Sequence, residues 1–122
     1  MSHNQPLACD LTAINDNERA THKTNAEKVF TSVEEWQELS DGYGFRLPTG
    51  TGIIEKAGAF IARERQCCPF FTFTLVVTPD GGPIWLKLTG NEEVKEYIKQ
   101  NVIPQLDISN NNSWELPDNT TQ

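Results

Sequence analysis

Basic side chains are scarce in this chain. Its 122 residues include 10 Lys and Arg against 17 Asp and Glu, which gives a formal net charge of -7 at pH 7. A net negative protein repels the phosphate backbone of nucleic acids, so a nucleic-acid partner is not expected. Histidine is scarcer still, since only His3 and His22 are present, both in polar sequence. We predict that both are solvated, and a catalytic Cys/His pair is therefore not expected.

Long apolar runs are also missing. No stretch reaches the roughly 18–20 apolar residues that a bilayer span needs, and residues 1–5 lack the basic cluster and apolar segment of a signal peptide. The three cysteines are an odd number, so a secreted disulfide framework would leave one over, whereas a reducing cytoplasm would keep all three as thiols. We therefore expect a cytoplasmic protein with no membrane partner.

The length of the chain favours one domain, because second cores usually appear only in chains well beyond 150 residues. We assign residues 1–106 to a single α+β domain. Residues 107–122 are rich in Asn, Ser, Thr and Pro and poor in apolar side chains, a composition that predicts a polar, flexible C-terminal tail.

Apolar periodicity predicts the element order β-α-β-α-β-β-α. Alternate apolar residues indicate half-buried strands, and spacings of three and four indicate amphipathic helices. With short connections this order gives a two-layer α+β sandwich, in which a four-stranded antiparallel or mixed sheet has its helices on one face. The predicted elements are a strand at Leu7–Leu11, a helix over about Asn15–Leu39, a strand at 43–47, a helix over about 52–66 with Thr51 as N-cap, a hairpin of strands 70–78 and 84–89, and a last helix capped by Asn91.

One segment combines a carboxylate with two thiols, which folding alone does not require. This segment is Glu64-Arg65-Gln66-Cys67-Cys68-Pro69. Glu64 lies on the apolar stripe of the second predicted helix, and the two cysteines follow three and four residues later, where helical side chains converge. The alternation of the first predicted strand directs Cys9 toward the same interior. Soft thiolates select thiophilic ions such as Zn(II) over Mg(II) or Ca(II).

These patterns assign Cys9, Cys67, Cys68 and Glu64 as candidate metal ligands, with Zn or Hg as the kind of ion. Adjacent cysteines diverge on a helix and suit a tetrahedral ion less well than Cys-x-x-Cys, which favours Hg(II) or As(III) over a zinc ribbon. The residues assigned to binding of a small ligand are Glu64, Arg65 and Tyr43.

The segment E-R-x-C-C-x-F at Glu64–Phe70, followed by G-G-P-x-W-L-x-L-T-G at Gly81–Gly90, resembles a group of small uncharacterised bacterial proteins. The resemblance extends from about Leu7 to Tyr97. It implies that thiols at Cys9, Cys67 and Cys68 and a carboxylate at Glu64 form a shared site, and it implies no particular reaction.

The leading hypothesis is therefore a small cytoplasmic protein that binds a thiophilic metal, a metalloid or a small thiol-reactive ligand through its cysteine cluster. The alternative is a non-enzymatic interaction module, such as a homodimer formed through the sheet, whose cysteines are packing residues. A thiol-dependent enzyme is a third hypothesis. It requires a base beside a cysteine, and the sequence offers only Glu64 for that role.

Overall fold

A computed structural model describes Leu7 and residues 9–106, and both His3 and the predicted tail at 107–122 lie outside this part of the chain. The sheet has the strand order β1-β2-β4-β3, and every neighbouring pair is antiparallel. Within these residues the elements are a 3-10 helix Leu11–Ala13, α1 Asp16–Thr31, β1 Glu35–Leu39, β2 Gly42–Leu47, α2 Thr51–Cys67, β3 Thr72–Val77, β4 Ile84–Thr89, α3 Glu92–Asn101 and a second 3-10 helix Ile103–Leu106.

The predicted α+β class is confirmed, and the sheet is antiparallel throughout. Strand β4 shows how the layers arise: Ile84, Leu86 and Leu88 are buried, whereas Trp85 and Lys87 on the opposite face are only half-buried. Successive side chains of a strand point to opposite faces, so one face of the sheet contributes to the core. The helices cover that face, where α1 and α2 pack together and α3 contacts β2 and β4.

The predicted hairpin at the centre of the second half is also confirmed. Strands β3 and β4 pair in register from Thr72 with Thr89 to Val77 with Ile84. The connecting loop places Asp80 at φ 61° and Gly81 at φ 71°. Two successive left-handed residues have the twist that suits a tight hairpin, and Asp-Gly is a favoured pair for them.

The prediction of a strand at Leu7–Leu11 is wrong. Leu7 and Cys9 belong to no strand, and the chain turns into a 3-10 helix at Leu11. Asp10 explains the turn, because its carboxylate accepts a hydrogen bond of 2.9 Å from the backbone N–H of Thr12. Such local side-chain bonds compete with pairing in a sheet. The first strand of the sheet is instead β1.

The long helix predicted over Asn15–Leu39 is likewise corrected, since α1 ends at Thr31 and β1 occupies the last residues. The hydroxyl of Ser32 donates to the carbonyl of Val29 at 2.8 Å, which satisfies a carbonyl at the helix end. Two residues later the N–H of Glu34 donates to the carbonyl of Arg46 at 2.8 Å. Pairing with β2 therefore begins where the helix stops.

Of three predictions about the ends of helices, two are confirmed and one is wrong. Helix α2 ends at Cys67, shortly before Pro69, as predicted. The side chain of Asn91 caps α3 by accepting from the N–H of Val94 at 2.9 Å, also as predicted. The N-cap of α2 is Gly50 rather than Thr51, and no side chain caps it. In the described part of the chain, no helix has both the length and the apolar character that crossing a bilayer requires.

Candidate metal centre

A disulfide joins the N-terminal segment to the end of α2. Cys9 and Cys68 are bonded to each other across 59 positions of sequence, and their Cα atoms lie 4.5 Å apart. Beside this bond the N–H of Asp10 donates to the carbonyl of Cys67 at 2.8 Å, and the hydroxyl of Tyr97 donates to the sulfur of Cys9 at 3.3 Å. The expectation of three thiols is therefore corrected for Cys9 and Cys68, while Cys67 lies outside the disulfide.

Glu64 is the centre of the cluster. It is 3% exposed, which confirms its predicted place on the buried stripe of α2. Its Oε1 accepts from the thiol of Cys67 at 3.4 Å, and its Oε2 lies 3.2 Å from the sulfur of Cys68. The second approach is a contact rather than a hydrogen bond, because a disulfide sulfur carries no hydrogen. One carboxylate thus touches both cysteines of the adjacent pair.

The sequence analysis predicts that the sulfurs of the two adjacent cysteines diverge, and this prediction is wrong. The Sγ atoms of Cys67 and Cys68 lie 3.8 Å apart, and both residues are almost completely buried. The reason lies in the backbone: Cys67 is the last helical residue, whereas Cys68 has an extended φ of -125° and ψ of 72°. The end of the helix between them redirects the second side chain toward the first.

His22 is a member of the cluster that the sequence analysis missed. It was predicted to be solvated, but its side chain is completely buried and its Nε2 lies 2.8 Å from Oε1 of Glu64. Its ring stacks on Phe60 with 5.7 Å between the ring centres. A signal was present, because His22, Ala26 and Val29 follow the spacing of one helix face. The sequence around His22 is polar, however, and this predicts a solvated side chain.

Donor atoms within 4.8 Å of one another form two overlapping sets in the described residues. The first set joins the sulfurs of Cys9 and Cys68 to a Glu64 oxygen. The second joins a ring nitrogen of His22 and the sulfur of Cys67 to the same carboxylate. Every member is buried, and the mixture of sulfur, nitrogen and oxygen is the donor chemistry of thiophilic and borderline cations.

The other two residues assigned to ligand binding lie in different surroundings. Tyr43 is buried on β2, where its ring meets Trp36 and lies under the ammonium group of Lys95. Arg65 is exposed in the last turn of α2. A role in binding for either side chain stays a prediction.

A groove between α1 and α2 lies beside His22. It has a volume of about 200 Å³ and is lined by His22 together with Thr21, Asn25 and Arg63. At the edge of the groove, Nε of Arg63 lies 3.0 Å from a carboxylate oxygen of Glu18. Of the cluster residues, His22 is the one that reaches this groove.

Comparisons of the chain with models of protein families, with curated proteins and with solved structures each found no match. The resemblance to small bacterial proteins with an E-R-x-C-C-x-F segment therefore stays a prediction. The residues that it implies, Cys9, Cys67, Cys68 and Glu64, lie close together, but Cys9 and Cys68 form a disulfide rather than two thiols.

Proposed function

We propose that the reduced protein binds a thiophilic metal ion through Cys9, Cys67 and Cys68, with an oxygen of Glu64 as a further ligand. The observation that carries this proposal is the 3.8 Å separation of the Cys67 and Cys68 sulfurs. Two sulfurs that share a tetrahedral ion, with bonds of about 2.3 Å, lie about 3.8 Å apart. The adjacent pair therefore has the spacing of two ligands of one ion.

Reduction of the disulfide has to come first, because Cys9 and Cys68 offer thiolates only when their sulfurs are not bonded to each other. A dithiol supplies the two electrons and two protons: the S–S bond breaks, each sulfur becomes a thiol, and the dithiol closes to its own disulfide. A reducing compartment such as the cytoplasm would keep this form. Burial supports a tight site, since water competes poorly for an ion enclosed by protein.

The softness of three sulfurs sets the class of ion. Zn(II) and Hg(II) bind thiolates strongly, whereas Mg(II) and Ca(II) prefer oxygen ligands. A small thiol-reactive species such as As(III) would meet the same three sulfurs. Glu64 contributes one oxygen, and as a negatively charged neighbour it favours a cation at this position.

The test uses Cd(II), whose bonds to thiolate absorb in the ultraviolet. The protein is reduced, freed of reductant without oxygen, and titrated. One equivalent of Cd(II) should produce thiolate-to-metal absorption and should slow the alkylation of all three cysteines, followed by intact mass. If Cd(II) leaves the alkylation rate of the three cysteines unchanged, the proposal is contradicted. The alternative, an interaction module whose cysteines are packing residues, would then be favoured.

Variants locate the site. Cys67→Ser and Cys68→Ser should each weaken Cd(II) binding by about tenfold or more, because each removes one soft ligand. Glu64→Gln should weaken it less. The matched control is Glu55→Gln, an exposed carboxylate on the same helix, which should leave binding unchanged.

A further inference from the structure

We propose that the disulfide-linked form of the protein holds a borderline divalent cation, of the Zn(II) and Co(II) class, between His22, Glu64 and Cys67. This inference goes beyond the proposed function, which needs the reduced form and the sulfurs of Cys9 and Cys68. The two sites share Glu64, so the oxidation state of the Cys9–Cys68 pair would decide which donor set is offered.

The donor spacings fit such an ion with a small adjustment. On a tetrahedral zinc ion with bonds of about 2.0–2.3 Å, neighbouring nitrogen, oxygen and sulfur donors lie about 3.3–3.6 Å apart. The sulfur of Cys67 lies 3.4 Å from Oε1 of Glu64, within that range. Nε2 of His22 lies 2.8 Å from the same oxygen, so these two atoms would have to separate by about 0.6 Å. In the third pair of donors, a ring nitrogen of His22 and the sulfur of Cys67 lie within 4.8 Å of each other.

Formation of the disulfide leaves this set intact. It removes two sulfurs from the first set, but Cys67 lies outside it and still donates its thiol hydrogen to Glu64. One nitrogen, one oxygen and one sulfur then remain as donors. Ions that need several soft sulfurs lose their site, whereas Zn(II) accepts such a mixture.

Packing alone does not account for His22. Its Nδ1 is buried and has no hydrogen-bond partner within the described residues. A buried polar atom in this state costs about 1–3 kcal/mol. Nδ1 itself stays outside the proposed donor set, so a ligand role rests on the position of the other ring nitrogen, Nε2, beside Glu64 in the buried cluster. His22 also lines the groove between α1 and α2.

A proton must leave when the ion enters. The thiol of Cys67 carries a hydrogen that it donates to Oε1 of Glu64. A metal ion that takes this sulfur as a thiolate ligand displaces that proton to solvent, whereas the hydrogen between Nε2 of His22 and Oε1 of Glu64 can stay on the imidazole by moving to Nδ1. Binding should therefore weaken as the pH falls, and it should release protons that two buffers of different ionisation enthalpy would report in calorimetry.

The test adds Co(II), a spectroscopic substitute for Zn(II), to wild-type protein whose disulfide is intact. One equivalent should give visible d–d bands with a near-ultraviolet thiolate-to-cobalt band, and Zn(II) should displace it. Cys67→Ser should abolish the thiolate band, and His22→Gln should weaken binding by about tenfold or more. Thr24→Ala, an exposed position on α1 outside the groove, is the control and should bind as wild type.

The outcomes separate this site from the one in the reduced protein. Absence of Co(II) binding to the disulfide form overturns the inference, even if Cd(II) still protects the cysteines of the reduced protein. Co(II) binding that produces no thiolate band also overturns it. So does Co(II) binding to wild type that leaves the alkylation rate of Cys67 unchanged. The alkylation rate needs no variant, so it decides the question if a substitution prevents folding. Co(II) binding with both signatures supports the inference, whatever the reduced form does with Cd(II).

Discussion

His22 and Glu64, which stand 42 positions apart in the sequence, meet in the interface of α1 and α2 with 2.8 Å between Nε2 and Oε1. Neither side chain is accessible to water to any useful degree, and Glu64 has the thiol of Cys67 as a further hydrogen-bond partner. A buried polar pair of this kind is costly to break, because water cannot replace the hydrogen bond that the remaining partner loses. The pair also brings together the two helices that carry the candidate ligands.

Removing one partner should destabilise the protein more than removing both. His22→Leu leaves Glu64 buried without its partner, and we expect a loss of about 3–5 kcal/mol in the free energy of unfolding. In the double variant His22→Leu, Glu64→Met, two apolar side chains replace the pair, and the loss should be much smaller than the sum of the single losses. Urea unfolding of the four proteins measures the coupling.

The control for this cycle is Thr21→Ala, an exposed position beside His22 that should change stability by less than about 0.5 kcal/mol. Losses that simply add in the double variant would show that the two side chains act independently.

The Cys9–Cys68 disulfide should stabilise the fold by closing a long loop. For two cysteines 59 positions apart, the chain-entropy relation gives about 4 kcal/mol. Reductant should therefore lower the free energy of unfolding of wild type by about this amount. Cys67→Ala keeps the disulfide and should respond to reductant as wild type does, whereas Cys9→Ala should be weakened from the start and should not respond. An equal response of both variants would contradict the pairing.

Local patterns predicted the second half of the fold well. The alternation of Ile84, Leu86 and Leu88 and the turn at Asp80-Gly81 are signals that need only neighbouring residues. The side-chain cap of Asn91 is another such signal. In all three cases the structure agrees because short-range geometry and the sheet favour the same conformation.

For the first half of the fold, the predictions were wrong where long-range contacts determine the secondary structure. No Gly or Pro separates α1 from β1, and Trp36 fits the spacing of a helix as well as that of a strand. Pairing of Trp36 with Phe45 across β2 selects the strand. Likewise, five alternating residues were too few to establish a strand around Cys9, which is held instead by its bond to Cys68.

The sequence predicted the glutamate and the adjacent cysteines of the site, but it did not predict the histidine. Glu64, Cys67 and Cys68 follow one another at helical spacing, so a local pattern places them together. His22 reaches them through the packing of α1 on α2, which no local pattern encodes. The disulfide depends in the same way on the tertiary position of Cys9.

Two glycines should respond in opposite ways to substitution by alanine. A Cβ on Gly42 would overlap the carbonyl oxygen of Leu88 and would lie 2.8 Å from Cα of Thr89. These are backbone atoms of the paired strand β4 and cannot rotate away, so we expect Gly42→Ala to cost about 3 kcal/mol. A Cβ on Gly58, in the middle of α2, meets nothing within 4 Å. Gly58→Ala should therefore stabilise the protein by about 0.5–1 kcal/mol.

Thermal or urea unfolding of the two variants measures this contrast. A mild effect of Gly42→Ala, similar in size to that of Gly58→Ala, would mean that the β2 and β4 backbones are farther apart at this position than described.

The ion pair of Glu38 and Lys95, which joins β1 to α3, should make stability depend on pH in a defined direction. Nζ of Lys95 lies 2.8 Å from a carboxylate oxygen of Glu38. The hydrogen bond from Lys95 and its positive charge lower the pKa of Glu38 below its ordinary value of 4.5. The hydrogen bond to Glu38 is also the main reason why the pKa of Lys95 lies above 10.5.

A lowered carboxylate pKa contributes stability that is present above 4.5 and is lost as the pH falls through the folded-state value. A raised lysine pKa contributes stability that is present below 10.5 and is lost as the pH rises through the folded-state value. The coupling between Glu38→Gln and Lys95→Met in a double-mutant cycle should therefore be measurable at neutral pH and should vanish in acid. Because both groups reach solvent, it should also shrink in about 1 M salt. A coupling that persists in acid would show that packing of the Lys95 stem against Tyr43, rather than charge, joins α3 to the sheet.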